Sequence, residues 1–393
     1  MSVTKIRLSL FILAFVLLLV CSIPALTQPF ELNGKAGLLM DARSGQIFFE
    51  HNIDEPLPIA SVTKIMTLVL ILEALDRGLV SLTDLVSTTA HAASMGGSQV
   101  WLEPGEQLPL KEILFAISVG SANDAAVAVA EYIAGSEQAF VDAMNKRAQE
   151  LGLTNSQFSN ASGLPPSQLN QAPQLMSVRD IATLTQYAIT VPLLMDFVST
   201  YEYTMRAQTT KRPQLWNYNK LLRRYQGVDG VKTGYTTESG YCLAATAERN
   251  GLRLIAVVLG AACDANREED IRKLLDYGYR KYTNHLLISE GTEIGQLVLK
   301  KGDPERVSTI LANDLFVTIE RGDDANITTQ VQYREGLQLP MYKGIVVGDV
   351  VALLNNEEIA RAHLTIARDV DRGSIFDLIF RMSNNMIKSL LNI

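Results

Sequence analysis

The chain has 393 residues, enough for two ordinary domains and a large core. With 47% hydrophobic and 20% charged residues, it has the make-up of a folded globular protein and not of a disordered one. A formal net charge of −7, with no basic stretch interleaved with aromatics, argues against nucleic acid as a partner.

The N-terminus carries Lys5 and Arg7, then an apolar run over 8–20, then Ser22-Ile23-Pro24-Ala25. That order of basic, apolar and small residues is a secretory signal peptide, too short for a comfortable membrane span. Residues 1–27 are therefore expected to be removed, and the protein to act outside the cytoplasm. Cys21 follows Leu18-Leu19-Val20, which lacks the small residue of a lipoprotein signal. Export permits disulfides, but Cys242 and Cys263 lie in apolar, strand-like surroundings and read as buried apolar residues, not a staple. The four histidines (His51, His91, His285, His363) show no metal-ligand spacing, so neither metal nor cofactor is expected.

Residues 35–50 read as a hairpin turning through Asp41-Ala42-Arg43-Ser44-Gly45. The segment 65–72 is apolar on every side and is stopped by Gly78, which predicts a helix buried all round. Residues 79–109 are loop-rich, and helical spacing follows over 110–119, 124–133, 137–151 and 178–190. Strand patterns over 231–236, 241–247 and 252–259 come next, the last two joined by Asn250-Gly251, with a helix over 271–279. Strands at both ends with helices between them predict an α+β (α/β) domain. In it, one antiparallel sheet is covered by helices, with an all-helical insertion in the middle. From residue 286 onward, short alternating runs separated by Gly, Asp and Asn predict a small all-β domain. The last segment is amphipathic with few charges, and is either a helix docked on the protein or an interfacial membrane helix, the reading we favour. The expected divisions are 1–27, 28–284, 285–370 and 371–393.

Three short motifs carry the chemistry. Ser61 and Lys64 lie one helical turn apart at the start of the buried helix, where free backbone N–H groups collect. Ser121-Ala122-Asn123 falls in an interhelical connection, and Lys232-Thr233-Gly234 opens an extended segment. Singly, each has an ordinary explanation: chance spacing, a turn or cap, a strand. In this order they form the S-x-x-K, S-x-N, K-T-G set. The longer phrases Ala60-Ser61-Val62-Thr63-Lys64-Ile65-Met66-Thr67, Ser121-Ala122-Asn123-Asp124-Ala125 and Gly230-Val231-Lys232-Thr233-Gly234-Tyr235-Thr236 resemble the low-molecular-mass penicillin-binding proteins, the serine D-alanyl-D-alanine carboxypeptidases. The resemblance extends over nearly everything after the signal peptide, and implies a β-lactamase/transpeptidase-like fold.

A serine needs a base, and with no histidine near the motifs, that base is Lys64 in its neutral form. Burial and the nearby charge of Lys232 would both lower its pKa. Ser121 can relay a proton to the leaving amine, and Asn123 can orient Lys64 or the substrate amide. Lys232 and Thr233 suit a terminal carboxylate, while Gly234 leaves room for a substrate backbone at the strand edge. The resemblance further implies an oxyanion hole from the N–H groups of Ser61 and Tyr235, and a carboxylate contact from Arg267, for which a surface salt bridge is the other reading. Tyr235 stands where the family often has His. The implied reaction removes the terminal D-alanine of a peptidoglycan stem peptide ending in D-Ala-D-Ala, with β-lactams as covalent ligands. The expected location is the outer face of the cytoplasmic membrane. A DD-endopeptidase, a β-lactamase and a catalytically silent wall-binding protein are the alternatives. Against the second, Ser167-Gln168-Leu169-Asn170 has Ser where a class A enzyme has Glu.

Overall fold

The computed structural model describes residues 30–165, 172, 174–207, 209–322 and 326–375. The expected signal peptide, the segment 166–171 and most of the expected C-terminal helix lie outside the described residues. Residues 33–393 form one unit; of the other, 1–32, only 30–32 are described.

Strands β1 (Ala36–Asp41) and β2 (Ile47–His51) form the predicted hairpin. Asp41 closes its turn, accepting the Arg43 and Ser44 N–H groups at 2.7 and 2.6 Å. The helical insertion follows: α1 (Lys64–Asp76), α2 (Leu110–Ser118), α3 (Asn123–Ala134), α4 (Glu137–Glu150) and α5 (Val178–Ala188). The chain then returns to the sheet with β3 (Val228–Thr236), β4 (Gly240–Arg249) and β5 (Leu252–Ala261). The sheet is antiparallel in the order β3-β4-β5-β1-β2, so its two chain-distant halves join where Ala36 pairs with Leu259. Asn250 and Gly251, with φ of 52° and 75°, make the β4–β5 turn that the Asn-Gly dipeptide demands.

The predicted helix over 271–279 is longer than expected. α6 runs over Asp264–Lys281, its polar first turns masking it in the sequence although Arg267 and Asp270 are buried. Both α5 and α6 pack on β1 and β5, strands buried along nearly their whole length, so the sheet is covered on both faces. α1 is buried all round, as its composition requires. The two cysteines among the described residues are free: Cys242 is buried as expected, but Cys263 is exposed, because it sits at the N-cap of α6 and not within a strand.

Asp270 shows how the chain is fastened at its entry. Fully buried on α6, it accepts the N–H groups of Asn33 and Gly34, both at 2.8 Å, and the Asn33 side-chain amide at 2.8 Å. Such charge-assisted bonds are strong, and their donors would be stranded without the acceptor. Asp270→Ala is expected to destabilise the protein by about 2–4 kcal/mol, read as a lowered thermal midpoint. An unchanged midpoint would mean that residues 33–34 are held by something else.

The second domain contains β6 (Tyr282–Ile288), β7 (Glu293–Val298), β8 (Arg306–Leu311), β9 (Leu315–Glu320), β10 (Ile327–Tyr333), β11 (Val346–Leu354) and β12 (Glu357–Ile366). Its main sheet has the order β7-β8-β12-β11-β10, and β6 pairs with β9. The sequence did not reveal β6 or β12, the latter being rich in Glu, Ala and Arg, which favour helix. Asp371 and Arg372, placed in the terminal helix by the sequence, pair instead with Asp303 and Gly302. Where the domains meet, Phe48 stacks on Tyr282 with ring centroids 3.7 Å apart, and Thr318 Oγ1 donates to Asp41 Oδ2 at 2.5 Å. No helix among the described residues is long and apolar enough to cross a membrane.

Candidate active site

The site forms where the free edge of β3 meets the start of α1. Ala60–Thr63 make a 3-10 turn leading into α1, which puts Ser61 one turn before Lys64. Lys64 is 0% exposed. Its Nζ lies 3.0 Å from Ser61 Oγ, 2.6 Å from Asn123 Oδ1 and 2.5 Å from the Ser162 carbonyl oxygen. Burial holds the Lys64 pKa well below the ordinary lysine value and the charge of Lys232 lowers it further, while Asp124 opposes both. The fully buried Asp124 accepts the Val100 and Leu102 N–H groups, so its charge is already engaged.

Asn123, the first residue of α3, is aimed from both ends. Its Nδ2 donates to Gly96 O at 2.7 Å, which leaves Oδ1 facing Lys64. Of the two roles that the sequence left open for Asn123, the geometry displays contact with the lysine. Ser121 has φ of 54°, a left-handed conformation that costs a non-glycine residue about 1–3 kcal/mol and is tolerated mostly at functional sites. Its Oγ accepts from Lys232 Nζ at 2.9 Å. Lys232 is buried on β3, and its pKa is pushed down to about 7, by burial first and then by the charge of Arg267.

Two glycines clamp the nucleophile's segment. A Cβ on Gly234 would lie 2.6 Å from Ile59 O, and one on Gly163 2.1 Å from Ala60 O. Gly234 thus makes room for the protein's own chain ahead of Ser61, where the sequence suggested room for substrate. Gly163 belongs to the connection between α4 and α5. Its role, and that of the Ser162 carbonyl, were missed because main-chain acceptors leave no side-chain signature.

Thr233, Gly234, Tyr235 and Arg267 line one cleft of 330 Å³ with Ser61 and Ser121. Arg267 is only 4% exposed, so it is no surface salt-bridge residue. It pairs with Asp264, its Nη1 donates to Cys242 O at 3.4 Å, and its Nε has no hydrogen-bond partner among the described residues. Lys220 Nζ also reaches Asp264, at 2.5 Å, on the same wall. Tyr235 is exposed and packs on Tyr241 with centroids 4.3 Å apart. A second cleft of 330 Å³ shares Ser61, Ser98 and Tyr235 with the first and continues along Asn123, Gly163 and Glu238, so the groove passes over the serine on both sides. A larger cavity, of 590 Å³, lies elsewhere, between Arg43 and Glu358, and contains none of these groups. All nine residues singled out in the sequence therefore meet at or beneath one groove. A hydroxyl beside an amine whose pKa burial lowers, with cations along one wall, is equipped for acyl transfer to a substrate ending in a carboxylate.

Comparison with known proteins agrees. Residues 24–263 match the peptidase S11 family, described as D-alanyl-D-alanine carboxypeptidase, and residues 282–372 match the penicillin-binding protein 5 C-terminal domain. The chain is 36% identical to the D-alanyl-D-alanine carboxypeptidase DacF of Bacillus subtilis, over 91% of this chain and 90% of that protein. It is 35% identical to DacC of Escherichia coli, over 88% and 86%. Among solved structures, penicillin binding protein 5 from Haemophilus influenzae is similar at a TM-score of 0.73 and 32% identity, covering 88% of this chain and all of that one. With the profile, the relatives and the fold in agreement, this chain belongs to the D-alanyl-D-alanine carboxypeptidase family of serine peptidases.

Proposed function

We propose that the family's reaction, release of the terminal D-alanine from a peptidoglycan stem peptide, runs in this chain through an acyl-enzyme on Ser61. The observation that carries the proposal is the 3.0 Å contact between Ser61 Oγ and a fully buried Lys64 whose pKa is depressed. Neutral Lys64 takes the Ser61 proton as Oγ bonds to the penultimate D-alanine carbonyl carbon. The tetrahedral oxyanion is met by the N–H groups of Ser61 and Tyr235. When the C–N bond breaks, the proton that Lys64 took passes through Ser121, which bonds Lys232, to the leaving amine, and Lys64 is neutral again. Water then attacks the ester with Lys64 again as base, freeing the shortened peptide and restoring Ser61. Asn123 holds Lys64, and Lys232, Thr233 and Arg267 take the terminal carboxylate. A β-lactam enters the same first step and remains as a penicilloyl ester.

The substrate sets the place of action in the cell envelope. The amphipathic character of the C-terminal segment supports an interfacial anchor there, with the active site outside the cytoplasmic membrane.

Purified protein incubated with a fluorescent penicillin should take up covalent label and should release D-alanine from a pentapeptide ending in D-Ala-D-Ala. Ser61→Ala should do neither. Label retained by that variant would reject Ser61 as nucleophile.

A further inference from the structure

Glu137 is a buried carboxylate to which this chemistry gives no role. It opens α4, yet its side chain turns inward and is 8% exposed. Its Oε1 accepts the Ala161 N–H at 3.0 Å. The same short loop is gripped by α1 from its other side: Thr67 Oγ1 donates to Ala161 O at 2.7 Å, and Lys64 Nζ to Ser162 O at 2.5 Å. Thr67 and Lys64 lie one turn apart, so one loop of two residues receives both. Beyond it, Asn160 Oδ1 accepts the Gly163 N–H at 2.7 Å, next to the contact that Gly163 makes with Ala60 O. A carboxylate on one side thus braces the loop against which the lysine is held on the other. The titratable groups facing Glu137 are His91, whose Nε2 lies 3.9 Å away, and Glu131, which bonds His91 Nδ1 at 2.8 Å. A cavity of 310 Å³ lined by His91, Glu131, Glu137 and Ser159 opens at this point, leaving the loop space to shift if the brace is lost.

We propose that Glu137 is a positioning residue for acyl transfer: through the Ala161 N–H it fixes the Ser162 carbonyl that holds the Lys64 amine in line with Ser61. The proposal rests on Lys64 being the base. Acyl transfer is sensitive to small misplacements of its reacting groups, whereas Ala161 and Ser162, the residues that Glu137 steadies, do not line the groove in which a ligand docks. Burial pushes the Glu137 carboxyl pKa up, so a glutamine, which keeps the accepting oxygen, should serve in its place.

The test is stopped-flow acylation of the full chain by a fluorescent penicillin, resolving the reversible Kd from the acylation rate constant. Glu137→Ala is expected to lower the rate constant about tenfold or more while Kd stays within about twofold, and Glu137→Gln to restore it. Glu137→Asp, which withdraws the oxygen by one methylene, should fall in the same direction and decides the matter if the alanine variant does not fold. A wild-type rate constant in folded Glu137→Ala or Glu137→Asp, a loss confined to Kd, or a glutamine variant no better than alanine would overturn the proposal. Wild-type protein that takes no label would sink the Ser61–Lys64 chemistry instead.

Discussion

Replacing Lys64 with methionine is expected to slow acylation by about 10³–10⁴-fold, the loss of a general base for a serine that bonds no other base among the described residues. The fold should survive, since methionine keeps the apolar stem and the stranded Asn123 and Ser162 acceptors are offset by no longer burying an amine. The sign of the pH dependence follows from the same groups. Acylation needs neutral Lys64 and so rises with pH through a pKa that burial and the Lys232 charge hold low. Lys232 loses its charge as pH rises through about 7, so recognition of a terminal carboxylate weakens above that point. A bell-shaped profile of kcat/KM on a carboxylate-ending peptide is the expected result. Lys232→Met removes the like charge beside Lys64 and should move the acid limb of β-lactam acylation to higher pH. A limb that stays in place or moves down would show that the two lysines do not interact electrostatically as described.

The second large effect concerns the glycine clamp. Gly163 has φ of 85°, and its added Cβ would meet a backbone oxygen that no side-chain rotation can move aside. Gly163→Ala is expected to displace the segment before Ser61, lowering the second-order labelling rate by about 100-fold or more and the thermal midpoint with it. Gly234→Ala should act in the same way from the strand side. A folded Gly163→Ala protein that labels at the wild-type rate would show that the nucleophile is not held by this contact.

What the sequence disclosed and what it hid divide along physical lines. Side chains with a chemical signature were legible: Ser61, Lys64, Ser121, Asn123 and Lys232 all converge, and the all-round burial of α1 was written in its composition. Arg267 was left between two readings, because charged first turns look exposed even when one of their arginines points inward. The parts that failed depend on distant partners. Ser162 acts through a carbonyl, Gly163 through lacking a Cβ, and Glu137 through one main-chain N–H of a loop more than twenty residues away. β12 was hidden by helix-favouring residues that pairing with β8 and β11 overrides.

The pairing of Ala36 with Leu259 bears on how the molecule comes into being. β1 cannot gain its inner neighbour until nearly the whole catalytic domain has been synthesised, which makes the contacts of that sheet long-range and its closure slow. A nascent or truncated chain ending before β5 would carry Leu38 and Leu39 on an unpaired edge, a template for association with other chains. Yield of soluble protein from C-terminal truncations should therefore collapse abruptly once Leu252–Ala261 is removed, and not decline in proportion to length.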